Sequence, residues 1–501
     1  MKKRYHAIVG LAAMLTVMLI PIIPLNAASD SSSKELTEIT HVEMGGSYAL
    51  ALDKQGVVWA WGANFNGQLG DGTTGFKSAA VPVFSDVNKI QATSGYSLVL
   101  KKDGTVWFWG GNGNRVSGLD NFETKENVSI SSPTKVSNLS NVIDIAAKED
   151  HNLALKADGT VWSWGNSQFG QLGRMDINAY KPEEFRKRIS EENIPKQVTG
   201  LKDIVSVHAG SFLSAAINTK GETWIWGHYN GWGDQSTDLM TPVKLEGILA
   251  NKVTGNWKNT IVMDKEGTIW EVKKGLILKK LLTSGTDISC GNFACAALSS
   301  DGTVRGLIGG SEETLNPVPI AGISNVKQFA IQSLNQDQLI IVKADGTLWT
   351  KVPFGYLAGN ESLVDYYNQM NVPYNEMGEK LRQVKKAITV QLDGKTISLT
   401  TNPYIYKGVT FVPLRSTFNE LGAKVEYVQG KMTISNANHI LKLTIRQNEA
   451  SIDGRAVTLD FPPMIVDTMT MVPLRFVIEA LDNKIDWDPD NRLISISSPN
   501  E

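Results

Sequence analysis

Ser97–Gly110 reads SLVLKKDGTVWFWG: an apolar run, a Lys-Asp-Gly turn, and a second run in which two tryptophans stand two apart. This is the pattern of a β-hairpin. Residues i and i+2 of a strand share a face, and Asp and Gly suit the positive φ angles of tight turns. Trp107 and Trp109 then make one large apolar patch that a lone hairpin cannot bury. The stretch recurs as ALALDKQGVVWAWG from Ala49, NLALKADGTVWSWG from Asn152, SAAINTKGETWIWG from Ser214, TIVMDKEGTIWEVK from Thr260, AALSSDGTVRGLIG from Ala296 and LIIVKADGTLWTKV from Leu339. The turn glycines, Gly56, Gly104, Gly159, Gly221, Gly267, Gly302 and Gly346, lie about 48 residues apart on average, the period of propeller blades. The pairs Trp59/Trp61, Trp162/Trp164 and Trp224/Trp226 repeat the patch, and stacking each blade on the next would bury it. An aromatic platform for sugars is the weaker reading of these residues, because they recur at a structural position.

A Pro-Val element and a further strand precede most hairpins, as in VPVFSDVNKIQATSG from Val81 and IPKQVTGLKDIVSVHAG from Ile194, which completes a four-stranded blade. Together with GQLG at Gly67–Gly70 and Gly170–Gly173, the repeats resemble the regulator of chromosome condensation propeller family over residues 36–355. The resemblance implies a seven-bladed β-propeller, with six blades plus an irregular closure as the alternative. Later copies are degenerate at Val272, Arg305 and Lys351. Fold likeness does not transfer function. The eponymous members act on a small GTPase beside chromatin, which an exported chain does not reach, so no small GTPase partner is expected here.

Past this region the repeat stops. Residues 356–386 read as a polar linker with a helix over Glu376–Lys386, and residues 387–498 contain a duplication. LDGKTISL is echoed by IDGRAVTL, and VTFVPLRSTFNELGAKVEY by MTMVPLRFVIEALDNKIDW, with Gly394/Gly454 and Arg415/Arg475 in step. Each copy reads as an Asp-Gly hairpin, a strand, a helix starting near PLR, and a closing pair of strands. Leu474, Val477, Ile478 and Leu481 have helical spacing. Arg415 and Arg475 are expected to satisfy buried or capping acceptors. The fold class is therefore mostly β, a propeller followed by a small duplicated α+β domain.

The duplicated pair resembles the copper amine oxidase N-terminal-like (stalk) domain over residues 388–498. In that family the copper and quinone belong to a separate catalytic domain, with three His ligands and a modified Tyr. Here His6, His41, His151, His208, His228 and His439 are scattered among different units and no such Tyr motif occurs. No metal, cofactor or catalytic residue is expected. DWDPDN from Asp486 imitates the start of a calcium loop, but Asn491 stands where Gly is needed and Ser497 where Glu is needed.

Lys2, Lys3 and Arg4, the apolar run Ala7–Ile23 and the small residues before Ser29 mark residues 1–28 as an export signal. The mature chain would be secreted or held at the surface of a Gram-positive-type bacterium, without a membrane span. A formal net charge of −2 with no clustered basic face excludes nucleic acid as the partner. Cys290 and Cys295 could form a disulfide across a short hairpin, as export permits, or serve as two small apolar core residues.

Loops on a rigid scaffold carry function. The stretches 63–80, 111–132, 166–194 and 228–240 are long and follow the same strand of successive repeats, so they should gather on one face. KPEEFRKRISEE from Lys181 is expected to form a short surface helix, with Pro182 in its first turn and Glu183–Lys187 and Glu184–Arg188 as pairs. The aromatic partner-contact candidates are Phe65, Phe76, Phe122, Phe169, Tyr180, Phe185, Tyr229 and Trp232, with Trp232 foremost. The reading is a non-catalytic binding protein whose loops recognise an extracellular protein. The alternative is a cell-wall or carbohydrate-binding protein.

Overall fold

The computed structural model describes residues 36–498, apart from 76, 113–115, 120–128, 175–192, 230–237, 293, 310–314, 334–337, 352–381, 384–385, 401–402, 407–408, 467–468 and 490. The export signal expected over residues 1–28 and the helix expected from Lys181 lie outside the described residues. The chain is mostly β, with two α-helices among the described residues.

Seven four-stranded antiparallel sheets follow one another along the chain. Sheet 1 is Ile39–Met44, Tyr48–Asp53, Val58–Gly62 and Lys77–Phe84, and sheet 2 is Val87–Ala92, Tyr96–Lys101, Val106–Gly111 and Ser129–Lys135. Sheets 3 and 4 begin at Val142–Lys148 and Ile204–Ala209, and sheets 5, 6 and 7 at Ala250–Gly255, Gly285–Cys290 and Val326–Ser333. Consecutive first strands lie side by side, and Val326–Ser333 packs back on Ile39–Met44, so the series closes on itself. The fourth strand of sheet 7 is Arg382–Gln383, paired with Trp349 and Thr350. That stretch was expected to be helix within a linker. Backbone pairing across a gap in sequence decides it instead, and local propensity cannot register such a partner.

The Trp pairs divide their work. Trp61, Trp109, Trp164 and Trp226 are fully buried, while Trp59, Trp107, Trp162 and Trp224 keep part of their surface. Three of the buried indoles donate to a loop carbonyl of the preceding sheet: Trp109 to Gln68, Trp164 to Val116 and Trp226 to Gln171, at 2.9, 3.0 and 2.9 Å. Each carbonyl accepts a second bond from the second strand of the following sheet, from Ser97, Asn152 or Ser214. Trp162 and Trp349 are roofed by the ammonium groups of Lys156 and Lys343, at 4.0 and 4.1 Å from the ring centroids.

The Asp-Gly turns are not the two-residue kind that needs two left-handed residues. Gly104 has φ +78 but Asp103 does not share it, and the bonds Gly104 N–H to Lys101 O and Lys101 N–H to Thr105 O close a three-residue loop. Asp103 instead accepts from the backbone N–H and hydroxyl of Thr105, at 2.9 and 2.6 Å. Asp158 and Asp345 repeat the bond with Thr160 and Thr347. In the C-terminal repeats the same dipeptide does form the left-handed pair, with Asp393 at φ +48 before Gly394 and Asp453 at φ +51 before Gly454.

Residues 388–496 have a core of their own. Helix α1 (Leu414–Glu420) and helix α2 (Leu474–Glu479) each follow a strand ending in Pro, and Leu474, Val477, Ile478 and Leu481 are all buried. The two copies interlock rather than fold separately. Val409–Pro413 pairs with its counterpart Met469–Pro473, and Thr389–Leu392 of the first copy lies parallel to Leu493–Ser497 of the second. Arg415 and Arg475 are exposed, and Glu479 lies 3.6 Å from Arg475. The expectation of buried acceptors is corrected: the second position of each helix faces away from the core.

Candidate recognition face

In an antiparallel meander the turn from first to second strand and the turn from third to fourth open at the same end. The long loops therefore share an end with the short first turns at 45–47, 93–95, 149–150, 210–212, 256–259 and 291–294. Among the aromatic candidates, Phe65 is 56% exposed on this end. Phe169 is half-buried, its ring 4.7 Å from that of Phe212 and 5.8 Å from that of His228. Phe212 in turn stacks on Trp257 at 6.3 Å. Phe76, Phe122, Tyr180, Phe185 and Trp232 lie outside the described residues.

Tyr229 is corrected. It is 5% exposed and belongs to one apolar cluster with Val272, the residue that stands where other repeats carry the second Trp. Its carbonyl accepts from Thr260 Oγ1 at 2.8 Å, as Gln68 and Gln171 do in their loops, and its hydroxyl accepts from Gly275 N–H. A lost indole is thus compensated by a tyrosine arriving from the neighbouring loop, and burial takes it off the surface.

The first turns meet across the centre. Sheet 6 is not a neighbour of sheets 2 and 3 in the series, yet Asn292 Nδ2 donates to Ser94 Oγ at 3.3 Å and Ser94 Oγ donates to Glu149 at 2.6 Å. Lys148 Nζ donates to the Cys290 carbonyl at 3.0 Å. Cys290 and Cys295 are register partners and form a disulfide, which settles the open choice and ties off the turn carrying Asn292. Burial pushes the Glu149 carboxyl up against the opposing pull of Ser94 and Lys148, and burial lowers Lys148 against the attraction of Glu149 and Glu43. Both side chains still keep part of their surface.

Below these turns, every first strand carries a β-bulge after its opening residue. The bulge re-aims the side chains that follow. It leaves Ile143 and Val205 about half exposed and brings His41, Lys89, Asp144, Ser206, Lys252, Asp287 and Gln328 to equivalent places. Lys89 pairs with Asp144 at 2.5 Å and Lys252 with Asp287 at 2.6 Å, each bond joining adjacent sheets. Gln328 bonds His41 across the seam between sheets 7 and 1, and Gln91 donates to Glu43 at 3.1 Å. Burial opposes ionisation of Glu43, but its bond with His41 and the charges of His41, Lys148 and Lys252 hold the carboxyl below its usual range. Burial, with Lys89 and Lys252 nearby, takes His208 down to about 3. The sequence reading missed both layers. The signal was present as a polar residue at one fixed place in each strand preceding a hairpin: Lys89 in VNKIQA, Asp144 in VIDIAA and Asp287 in GTDISC.

Among the described residues no group of three or more His, Cys, Asp or Glu is placed to hold a metal ion. His439 touches two carboxylates, Asp453 at 2.8 Å and Asp482 at 2.7 Å, but on opposite ring nitrogens, so the three do not converge on one point.

A closed series of four-stranded sheets, with loop-to-indole bonds at three of its junctions, fits the blades of a repeat propeller. Residues 55–100, 103–155 and 158–217 match the Regulator of chromosome condensation (RCC1) repeat, and a second model of that description matches 39–68 and 142–171. Residues 391–496 match the Copper amine oxidase N-terminal domain. The chain carries both elements. It is 29% identical over 203 residues to RCC1 domain-containing protein RUG3, mitochondrial, of Arabidopsis thaliana, covering 40% of this chain and 31% of that protein. It is 24% identical over 260 residues to the Ultraviolet-B receptor UVR8 of the same plant, covering 48% and 56%. The crystal structure of Prp20p from Saccharomyces cerevisiae is similar with a TM-score of 0.48 and 20% identity, covering 59% of this chain and 80% of that one. The chain thus spans about a third of the first relative's length and little more than half of the second's.

Proposed function

We propose that the seven sheets are the blades of a propeller in an exported, non-catalytic binding protein, and that the face described above captures an extracellular protein. The duplicated α+β unit from Ala387 onward would serve as stalk or attachment module. The observation that carries this is the row of touching rings Phe169, Phe212 and Trp257, the first pair tilted and the second stacked, on the end where the long loops open. Aromatic side chains held rigid on turns supply contact area at low entropic cost. RCC1-type repeats and a domain without the amine oxidase's catalytic part support a binding role over chemistry.

A glycan is the second reading, favoured by the polar set Ser94, Glu149 and Asn292 beside Trp257, since rings and hydrogen-bonding groups together suit sugars. The test uses the chain from residue 29 onward, incubated with washed Gram-positive cell walls and separately with secreted proteins. Phe212→Ala with Trp257→Ala should abolish capture in a variant that still unfolds cooperatively, with a lowered midpoint. Undiminished capture by the double variant would remove the face from consideration. Release by free wall glycan would replace the protein partner with a sugar.

A further inference from the structure

The outer strand of sheet 1, Lys77–Phe84, has a second neighbour. Ala387 N–H donates to the Ala80 carbonyl at 2.8 Å, Lys386 bridges Ala80 in parallel, and the Lys386 ammonium lies 5.0 Å from the centroid of Trp59. The chain therefore runs from the edge of sheet 7 along the edge of sheet 1 before it enters the C-terminal unit. At the start of the same strand Lys77 is only 4% exposed. Its ammonium sits 3.1 Å from the Asp71 carboxylate and donates to the Leu399 carbonyl at 2.9 Å. A buried ammonium is tolerated only when its donors are met. Here one acceptor comes from the loop of sheet 1 and one from the C-terminal unit.

The backbones also touch. A side-chain carbon at Gly75 would overlap the Thr400 carbonyl oxygen, although the Gly75 backbone is outside the left-handed region and would accept other residues. Thr400 is itself fastened to α1, its N–H and hydroxyl meeting Ser416 Oγ at 3.3 and 3.2 Å. Asp71 and Gly75 belong to the loop that also carries Phe65, on the recognition face, and Lys77 opens the strand that follows it.

We infer that the C-terminal unit is docked on sheet 1 as a fixed wall beside the recognition face, through the Asp71-paired Lys77 and the close contact at Gly75, and is not a free tether. A partner seated near Phe65 is then held at one orientation to whatever the C-terminal unit engages. The docking stands independently of what the partner is, and its test involves no partner.

The experiment is small-angle X-ray scattering with amide hydrogen exchange on the chain from residue 29 onward. Wild-type scattering is expected to fit a single arrangement of the two units. Gly75→Leu should lengthen the maximum dimension and require several arrangements. Exchange at Ala387 should accelerate roughly tenfold, the factor set by the net worth of about one hydrogen bond. Lys77→Met, which keeps the apolar stem and removes the ammonium, should accelerate the same amide. Wild-type scattering that already demands many orientations would overturn the inference. So would unchanged scattering and exchange in Gly75→Leu. If Gly75→Leu unfolds sheet 1, Lys77→Met decides alone, and unchanged exchange there refutes the docking.

Discussion

The Gln171 carbonyl makes a quantitative test of how the loops are held. It is buried and accepts two bonds, from Trp226 Nε1 at 2.9 Å and from Ser214 Oγ at 2.7 Å. Ser214→Ala removes one donor and leaves the other, a loss of about 1 kcal/mol. Trp226→Phe removes the second donor and part of a fully buried ring, about 2–3 kcal/mol in total. Together they orphan a buried carbonyl, whose desolvation adds about 1–2 kcal/mol beyond the sum. Urea unfolding of the two single variants and the double variant, followed by tryptophan fluorescence, closes the cycle. Additivity within about 0.5 kcal/mol would refute the shared-acceptor account. The Gln171 loop also carries Phe169, so the double variant should lose partner capture before it loses its fold.

Tyr229→Ala should destabilise by about 3 kcal/mol, as a buried aromatic does, and should not behave as a contact residue; wild-type stability with lost capture would contradict its burial. Cys290→Ser with Cys295→Ser opens a small loop, and the chain-entropy model gives about 2 kcal/mol of lost stability. Calorimetry would show this as a lowered midpoint, and faster exchange at the 290–295 turn should accompany it. The bonds of His439 to Asp453 and then Asp482 raise its pKa. The stability this confers is complete below the ordinary histidine value of about 6.5 and disappears as pH rises through the raised folded value. The unfolding midpoint of the C-terminal unit should therefore fall across that window, and His439→Gln should flatten the profile. A slope unchanged by His439→Gln would exclude this clamp as its source.

Part of the site was legible and part was not. Phe65 and Phe169 were found because loop length follows directly from where each WG ends. Phe212 and Trp257 sit in short turns, where nothing in composition separates a packed ring from a presented one. The Ser94–Glu149–Asn292 relay joins residues from three sheets that are far apart in sequence, and only closure of the series brings them together. Tyr229 misled for a related reason: it departs from the Trp register because it fills space that Val272 leaves, and that exchange is visible only when the two share a cluster.

The repeat by itself determined seven hairpins, the places of their turns and the stacking face, because strand periodicity and the Trp spacing act within a few residues of each other. The duplication with its two PLR helices was equally local. Tertiary structure alone decided that Arg382–Gln383 completes sheet 7, that Cys290 bonds Cys295, that Arg415 and Arg475 face outward, and that Lys77 is shared between two units. Each of those outcomes depends on which backbone or acceptor arrives from a distant part of the chain. A sequence specifies such a meeting only through the whole packed fold.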